Sequence, residues 1–230
     1  MGSLSSGTGN TAPSTAASQE YCIPGDTATC SPPVARWDFN EGIGSSAYDT
    51  SGNGNHGGLG AGSSAPTWDK GKVGKGLRFD GSNDYITLHS TALSVATGEF
   101  SFSLWFKPLE AQSNYLLRLG DAPSNNDFFL KIIYPDWVRF GMLNGSTWKD
   151  ADATTELANS GWYFISGTFS TSTGQKLYIN GNLEGTNSNT TRGTTPYATH
   201  FYLASYDGTN TFANGLIDQV RIYNYARTPA

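Results

Sequence analysis

Charge is scarce in this sequence. Asp, Glu, Lys and Arg make up 14% of its 230 residues, against roughly 25% for an average soluble domain. The balance is acidic, at −5, and no basic stripe offers to neutralise phosphates, which argues against a nucleic-acid partner. An acidic surface is compatible with calcium. No apolar run approaches the roughly 18 residues of a membrane-spanning helix, so no membrane insertion is expected. Nor does an amphipathic helical pattern stand out; residues 151–159 offer at most one or two turns. Cysteine is confined to Cys22 and Cys30. Zinc would need further ligands nearby, and there are none, so the pair is read as a small disulfide loop and implies an oxidising compartment. Residues 1–20 hold no apolar signal-peptide core, so export rests on that inference alone.

What the sequence has instead is Gly, Ser, Thr and Asn, which suit short strands joined by polar turns. Residues 1–20 read as a flexible tail or linker and 21–33 as the cysteine loop. Residues 34–230 show one long pattern without internal repeats, which predicts one domain. Ala35, Trp37 and Phe39 alternate with Arg36, Asp38 and Asn40, the mark of a half-buried strand. Similar signals recur at 76–80, 84–88, 100–107, 115–119, 127–133, 137–143, 162–169, 176–179 and 200–205. Asn180-Gly181 marks a type I′ hairpin turn. More than ten short strands with such turns predict an all-β fold, a two-sheet antiparallel jelly-roll sandwich. In that fold the first and last strands lie side by side, bringing 34–39 beside 216–223.

Two stretches hold side-chain oxygens suited to a metal. The loop from Asp49 to Gly57 places Asp49, Asn53 and Asn55 among glycines, and either a hard cation or an Asx-rich turn accounts for that spacing. It has no terminal Glu of the EF-hand kind. In the last strand, alternation puts Asp218 in a row with Leu216, Val220 and Ile222. An unpaired buried carboxylate costs on the order of several kcal/mol, so Asp218 must reach solvent, meet a cation such as Arg36 or Arg78, or bind a metal.

Seven motifs in order, Trp37-Asp-Phe-Asn-Glu41-Gly, Asp49-x-Ser-Gly-Asn-Gly-Asn-His-Gly57, Gly76-x-x-Phe-Asp-Gly-Ser-Asn-Asp-Tyr85, Phe102-Ser-Leu-Trp-Phe-Lys107, Trp162 with its following strand, Leu177-Tyr-Ile-Asn-Gly181 and Gly215-x-Ile-Asp-Gln-Val-Arg-Ile-Tyr223, resemble laminin-G-like domains of the concanavalin A-like lectin and glucanase superfamily. The resemblance spans about residues 34 to 228. It implies a jelly-roll module that is extracellular or on a cell surface, one part of a larger adhesive or glycan-active protein. It also implies a structural calcium held by Asp218, the Gly81 turn and Asn40. The family more often has Asp where this chain has Asn40, which removes one charge and weakens such a site.

Catalysis finds little support. Retaining glycosidases of this superfamily carry a Glu-x-Asp-x-x-Glu cluster that sets two carboxylates roughly 5 Å apart, and the sequence has none. His56, His89 and His200 stand at unrelated positions with no Gly-x-Ser-x-Gly elbow. Glycan recognition needs aromatic platforms and hydrogen-bonding groups. The candidates are Trp148, Trp137, Tyr134, Tyr206 and Phe212, with Asn144, Asp207, Asn210 and 125–127 nearby; Trp37, Trp105 and Trp162 are assigned to the core. The expected function is non-catalytic recognition or cell adhesion, with a glycan or glycoprotein as partner. The alternative is a structural surface or pilus-associated module without a sugar site.

Overall fold

The computed structural model describes residues 31–89, 98–111, 113–119, 128–144, 147–192 and 200–227. The cysteine pair, and the Asn and Asp at 125–127, lie outside these residues. Sixteen strands follow in chain order, beginning with β1 (Ala35–Trp37), β2 (Ser46–Ala47), β3 (Gly57–Leu59), β4 (Thr67–Lys70), β5 (Lys75–Asp80) and β6 (Ile86–His89). Then come β7 (Phe100–Pro108), β8 (Asn114–Leu119), β9 (Phe128–Ile133), β10 (Trp137–Asn144) and β11 (Thr147–Glu156). The last are β12 (Tyr163–Ser170), β13 (Gly174–Ile179), β14 (Asn182–Asn187), β15 (His200–Leu203) and β16 (Asn214–Tyr223). All pairings are antiparallel, in two sheets: β14-β13-β12-β7-β16-β5-β4 with β1 also on β16, and β11-β10-β9-β8-β15-β6-β3-β2. Among the described residues, no helix is long and apolar enough to cross a membrane.

The inward faces of the two sheets make one core in which phenylalanine dominates. Phe100, Phe102, Phe128, Phe140, Phe169 and Phe201 are all buried, and Phe102 stacks on Phe128 across the layers at 6.1 Å between ring centres. The predicted hairpin holds: Asn180 and Gly181 take φ of 51° and 84°, the two positive values that a type I′ turn demands.

The first and last strands pair as expected, Ala35 with Ile222 and Trp37 with Val220. Along one side β16 runs against β7, while its other side is shared by β5 at residues 214–217 and β1 at 220–222. The expected row through Asp218 is not present. Gln219 has φ of 53° and one extra residue bulges from β16 between Asp218 and Arg221. A bulge inverts the alternation after it, so Ile217, Val220 and Ile222 enter the core while Asp218 is directed to the opposite face.

Two further expectations change. Residues 151–156 are strand, not helical turns: Ala151 and Ala153 are buried between exposed or half-buried neighbours, and alanines are too small to make that alternation conspicuous. Only Trp37 of the three expected core tryptophans is in the core. Trp105 and Trp162 are half-buried, because they belong to the outward register of β7 and to the approach to β12.

Candidate functional site

The outer face of the second sheet carries a groove of about 370 Å³ lined by Tyr115, Phe129, Lys131, Arg139, Trp148, Asp150, Tyr206 and Thr211. Strand alternation builds it. On β9, Phe128, Leu130 and Ile132 are buried in the core, which turns Phe129 and Lys131 outward. On β10 the same alternation turns Arg139 and Gly141 outward, directly opposite Lys131 and Phe129 in register. Asp150 and Asp152 of β11 lie opposite Gly141 and Arg139.

Aromatic rings form a continuous row across these strands. Trp148 lies 4.8 Å from Phe129 between ring centres, Phe129 5.5 Å from Tyr115, and Tyr115 5.1 Å from Tyr206. At one end Trp148 is 42% exposed. At the other, the buried Arg118 guanidinium lies 3.6 Å from the Tyr206 ring centre and donates to the Tyr206 carbonyl, fixing that residue. Gly141 makes room in the middle: a Cβ there would stand 2.2 Å from Phe129 Cζ and 2.7 Å from Asp150 Oδ1.

The charged groups in the groove are mutually arranged. Lys131 and Arg139 face each other in register, a like-charge pair that would repel without compensation. Asp152 takes two bonds from Arg139, Nε at 2.6 Å and Nη2 at 2.7 Å, and Asp150 Oδ2 lies 3.1 Å from Nη1. Burial pushes the Asp150 carboxyl up from its ordinary value, against the pull of Arg139. Burial likewise lowers Lys131, and Arg139 adds to it. The Lys131 ammonium lies 4.8 Å from the Phe129 ring centre and makes no hydrogen bond with described residues, so its donors are available to a ligand.

Of the expected binding residues, Trp148 and Tyr206 meet in this groove. Trp137, 48% exposed, lies two residues from Arg139 on β10, and Tyr134, 69% exposed, is in the adjoining turn; neither lines the groove. Asn144 gives its amide to Asn189 and Thr191 at 3.1 and 2.7 Å. Asp207 is occupied with its own turn, accepting from Thr209 and Asn210. Phe212 is half-buried. Phe129, Lys131, Tyr115, Arg139 and Asp150 were not anticipated. For Lys131, Arg139 and Asp150 the signal was there: two cations opposed across a short hairpin require acids on the next strand.

The expected metal residues separate. Asp218 has no exposed surface. Its Oδ2 accepts from Val73 N at 2.9 Å, and its Oδ1 is buried without a hydrogen-bond partner among described residues. Asn40 Oδ1 accepts from Lys75 N at 3.0 Å. Both oxygens lie on the turn joining β4 to β5, where a Cβ on Gly71 would stand 2.6 Å from Asp218 Oδ2 and one on Gly74 2.3 Å from Asn40 Oδ1. Gly81 is not with them. Ile217 pairs with Leu77 and Asn214 with Asp80, so Gly81 follows the opposite end of β5 from the one beside Asp218, about 16 Å along the strand. Arg36 pairs with Asp38 at 2.7 Å, and Arg78 is opposite Leu216; neither neutralises Asp218. The pair Asp218 and Asn40 suits an oxygen-seeking cation in chemistry, though no group of three His, Cys, Asp or Glu exists among the described residues.

The second loop is an Asx turn. Asp49 accepts from the backbone N–H of Arg36, Ser51 and Asn55 at 2.8–3.0 Å, and Asn53 and Asn55 give their amides to the Val34 carbonyl. Burial pushes Asp49 up, but these hydrogen bonds outweigh it and leave the carboxyl below its ordinary value.

Among solved structures, domain 4 of AbnA, a GH43 extracellular arabinanase from Geobacillus stearothermophilus, in complex with arabinotriose, matches 86% of this chain and 94% of its own at a TM-score of 0.69 and 22% identity. The receptor-binding domain of botulinum neurotoxin C/D mosaic serotype matches 86% of this chain and 49% of its own (TM-score 0.65, 15% identity). Trypanosoma rangeli sialidase in complex with sialic acid matches 85% of this chain and 31% of its own (0.65, 16%). At such identities the likeness establishes the fold. No curated protein sequence matches the chain. The laminin G family profile described as concanavalin A-like lectin/glucanases superfamily matches residues 80–230. This chain belongs to that superfamily.

Proposed function

We propose that this chain is a non-catalytic carbohydrate-recognition module, extracellular or cell-surface, that binds a glycan or the glycan of a glycoprotein in the groove on its second sheet. The observation that carries this reading is the unbroken ring row Trp148–Phe129–Tyr115–Tyr206 beside the unspent donors of Lys131. Sugar rings present C–H faces to aromatic groups and hydroxyls to polar ones, and this groove offers both. The arabinotriose complex of the AbnA domain makes arabino-oligosaccharides the first ligands to try. A non-catalytic role is favoured because Arg139 bridges Asp150 and Asp152 and the sequence carries no Glu-x-Asp-x-x-Glu cluster.

The test is glycan-array screening followed by calorimetry with any ligand found. Trp148→Ala should weaken binding about ten-fold or more, since stacked rings contribute on the order of 1 kcal/mol beyond their burial. A wild-type protein that binds no glycan would overturn the proposal in favour of a structural module. Calcium is part of the same proposal, held at the β4–β5 turn by Asp218 and Asn40, where it would supply fixed positive charge to a buried carboxylate.

A further inference from the structure

The outer face of the first sheet has a cavity of about 460 Å³ lined by Asp69, Lys70, Gly71, Arg78, Lys107, Leu109, Trp162 and Leu216. Arg78 and Lys107 stand on either side of Leu216 in one cross-strand row, since Leu216 pairs with both. Their Cα atoms are therefore two strand spacings apart, about 9.5 Å. Two long basic side chains that far apart can both reach one small anion.

The donors here are unspent. Neither the Arg78 guanidinium nor the Lys107 ammonium makes a hydrogen bond or ion pair with described residues, and the Trp162 indole N–H has no partner among them. Lys70 adds a third cation, while Asp69 is the one carboxylate in the lining. A cavity with three cations and one acid, on a chain whose net charge is −5, is a local reversal of sign. Guanidinium, ammonium and indole groups donate and do not accept, so the complementary ligand is rich in acceptors and negatively charged.

We propose that this cavity is a second binding site, taking a polysaccharide that bears carboxylate or sulfate groups, with the oxyanion between Arg78 and Lys107 and a sugar ring against Trp162. A peptide fits less well. Its side chains are almost all donors or apolar, and a peptide's N–H groups would meet only Asp69 as a side-chain acceptor. Hydroxyl-bearing rings can turn acceptors toward the cations and C–H faces toward Trp162 and Leu216.

Calorimetry on the whole chain with oligogalacturonate, sulfated dextran, neutral dextran and poly-glutamate tests this. Binding is expected to at least one acidic polysaccharide, and which one binds distinguishes the uronate from the sulfate source. Affinity should fall as salt rises from roughly 50 to roughly 300 mM, as screening shortens the reach of exposed charges. Arg78→Gln and Lys107→Gln should each weaken binding about ten-fold. Circular dichroism melting verifies that the substitutions at exposed Arg78 and half-buried Lys107 leave the fold intact. The proposal is overturned if neither acidic polysaccharide binds, if the folded double variant binds like wild type, or if neutral dextran or poly-glutamate binds as tightly.

Discussion

Under the proposed function, residues of the groove divide into those that would touch a glycan and those that shape the surface. Trp148 is of the first kind. Gly141 is of the second, and its substitution separates shape from chemistry. A methyl group there meets the Phe129 ring and the Asp150 carboxylate at 2.2 and 2.7 Å, and both are held from other sides, Phe129 by its neighbours in the ring row and Asp150 by Arg139. Gly141→Ala should therefore displace the platform, weakening glycan binding about as much as Trp148→Ala, and should also cost about 1–3 kcal/mol of stability through overpacking. Urea unfolding and calorimetry on the same preparation measure both. A variant with wild-type affinity would show that Phe129 is no part of the platform. Trp148 and Tyr206 could be picked out of the sequence because turn signals flank them. Phe129 could not, since in Phe128-Phe129-Leu130 nothing but the later Lys131 tells which phenylalanine faces out.

At the scale of elements, the last strand shows where reading by alternation stops. Its pairing with β1 was legible because a jelly roll sets its first and last strands side by side, and the strand signals at 35–39 and 216–223 mark both ends. The bulge at Gln219 was not, since glutamine at positive φ has no sequence signature such as Asn-Gly provides. That one inserted residue turns Asp218 out of the core and under the β4–β5 turn. Burial raises the Asp218 carboxyl to about 6, against hydrogen bonds from Val73, Gln219 and Lys72 and with the help of the neighbouring Asp38 charge. Because the folded value exceeds the ordinary 3.8, the group favours folding below pH 4, and that contribution is lost as pH rises through 6. In chelator the melting temperature should accordingly decline between pH 4 and pH 7 by an amount that Asp218→Asn removes. Added calcium should raise wild type at pH 7 and leave the Asn variant behind. Identical melting curves with chelator and with calcium at pH 7 would exclude the ion from this turn.

Over the whole molecule, the two sheets need fixing to one another as well as packing, and Trp37 does both. It belongs to β1 in the first sheet, yet its ring lies 6.3 Å from Phe201 on β15 of the second. Its indole N–H donates to the Asn55 carbonyl at 2.9 Å, in the loop that leads to β3 of the second sheet. Through Asn55 the same tryptophan is linked to Asp49, whose carboxylate closes that loop, so the Asx-rich segment works as a clasp at the start of the domain. Trp37→Ala removes the ring and the bond together and should cost about 3–5 kcal/mol. Trp37→Phe keeps most of the apolar volume but leaves the buried Asn55 carbonyl without its donor, which should cost about 1–3 kcal/mol. Both should move the midpoint of a single urea transition with little change in slope. If instead the Ala variant gave two transitions, with the groove's ring fluorescence surviving the first, the sheets would be separable and the chain would not fold as one unit.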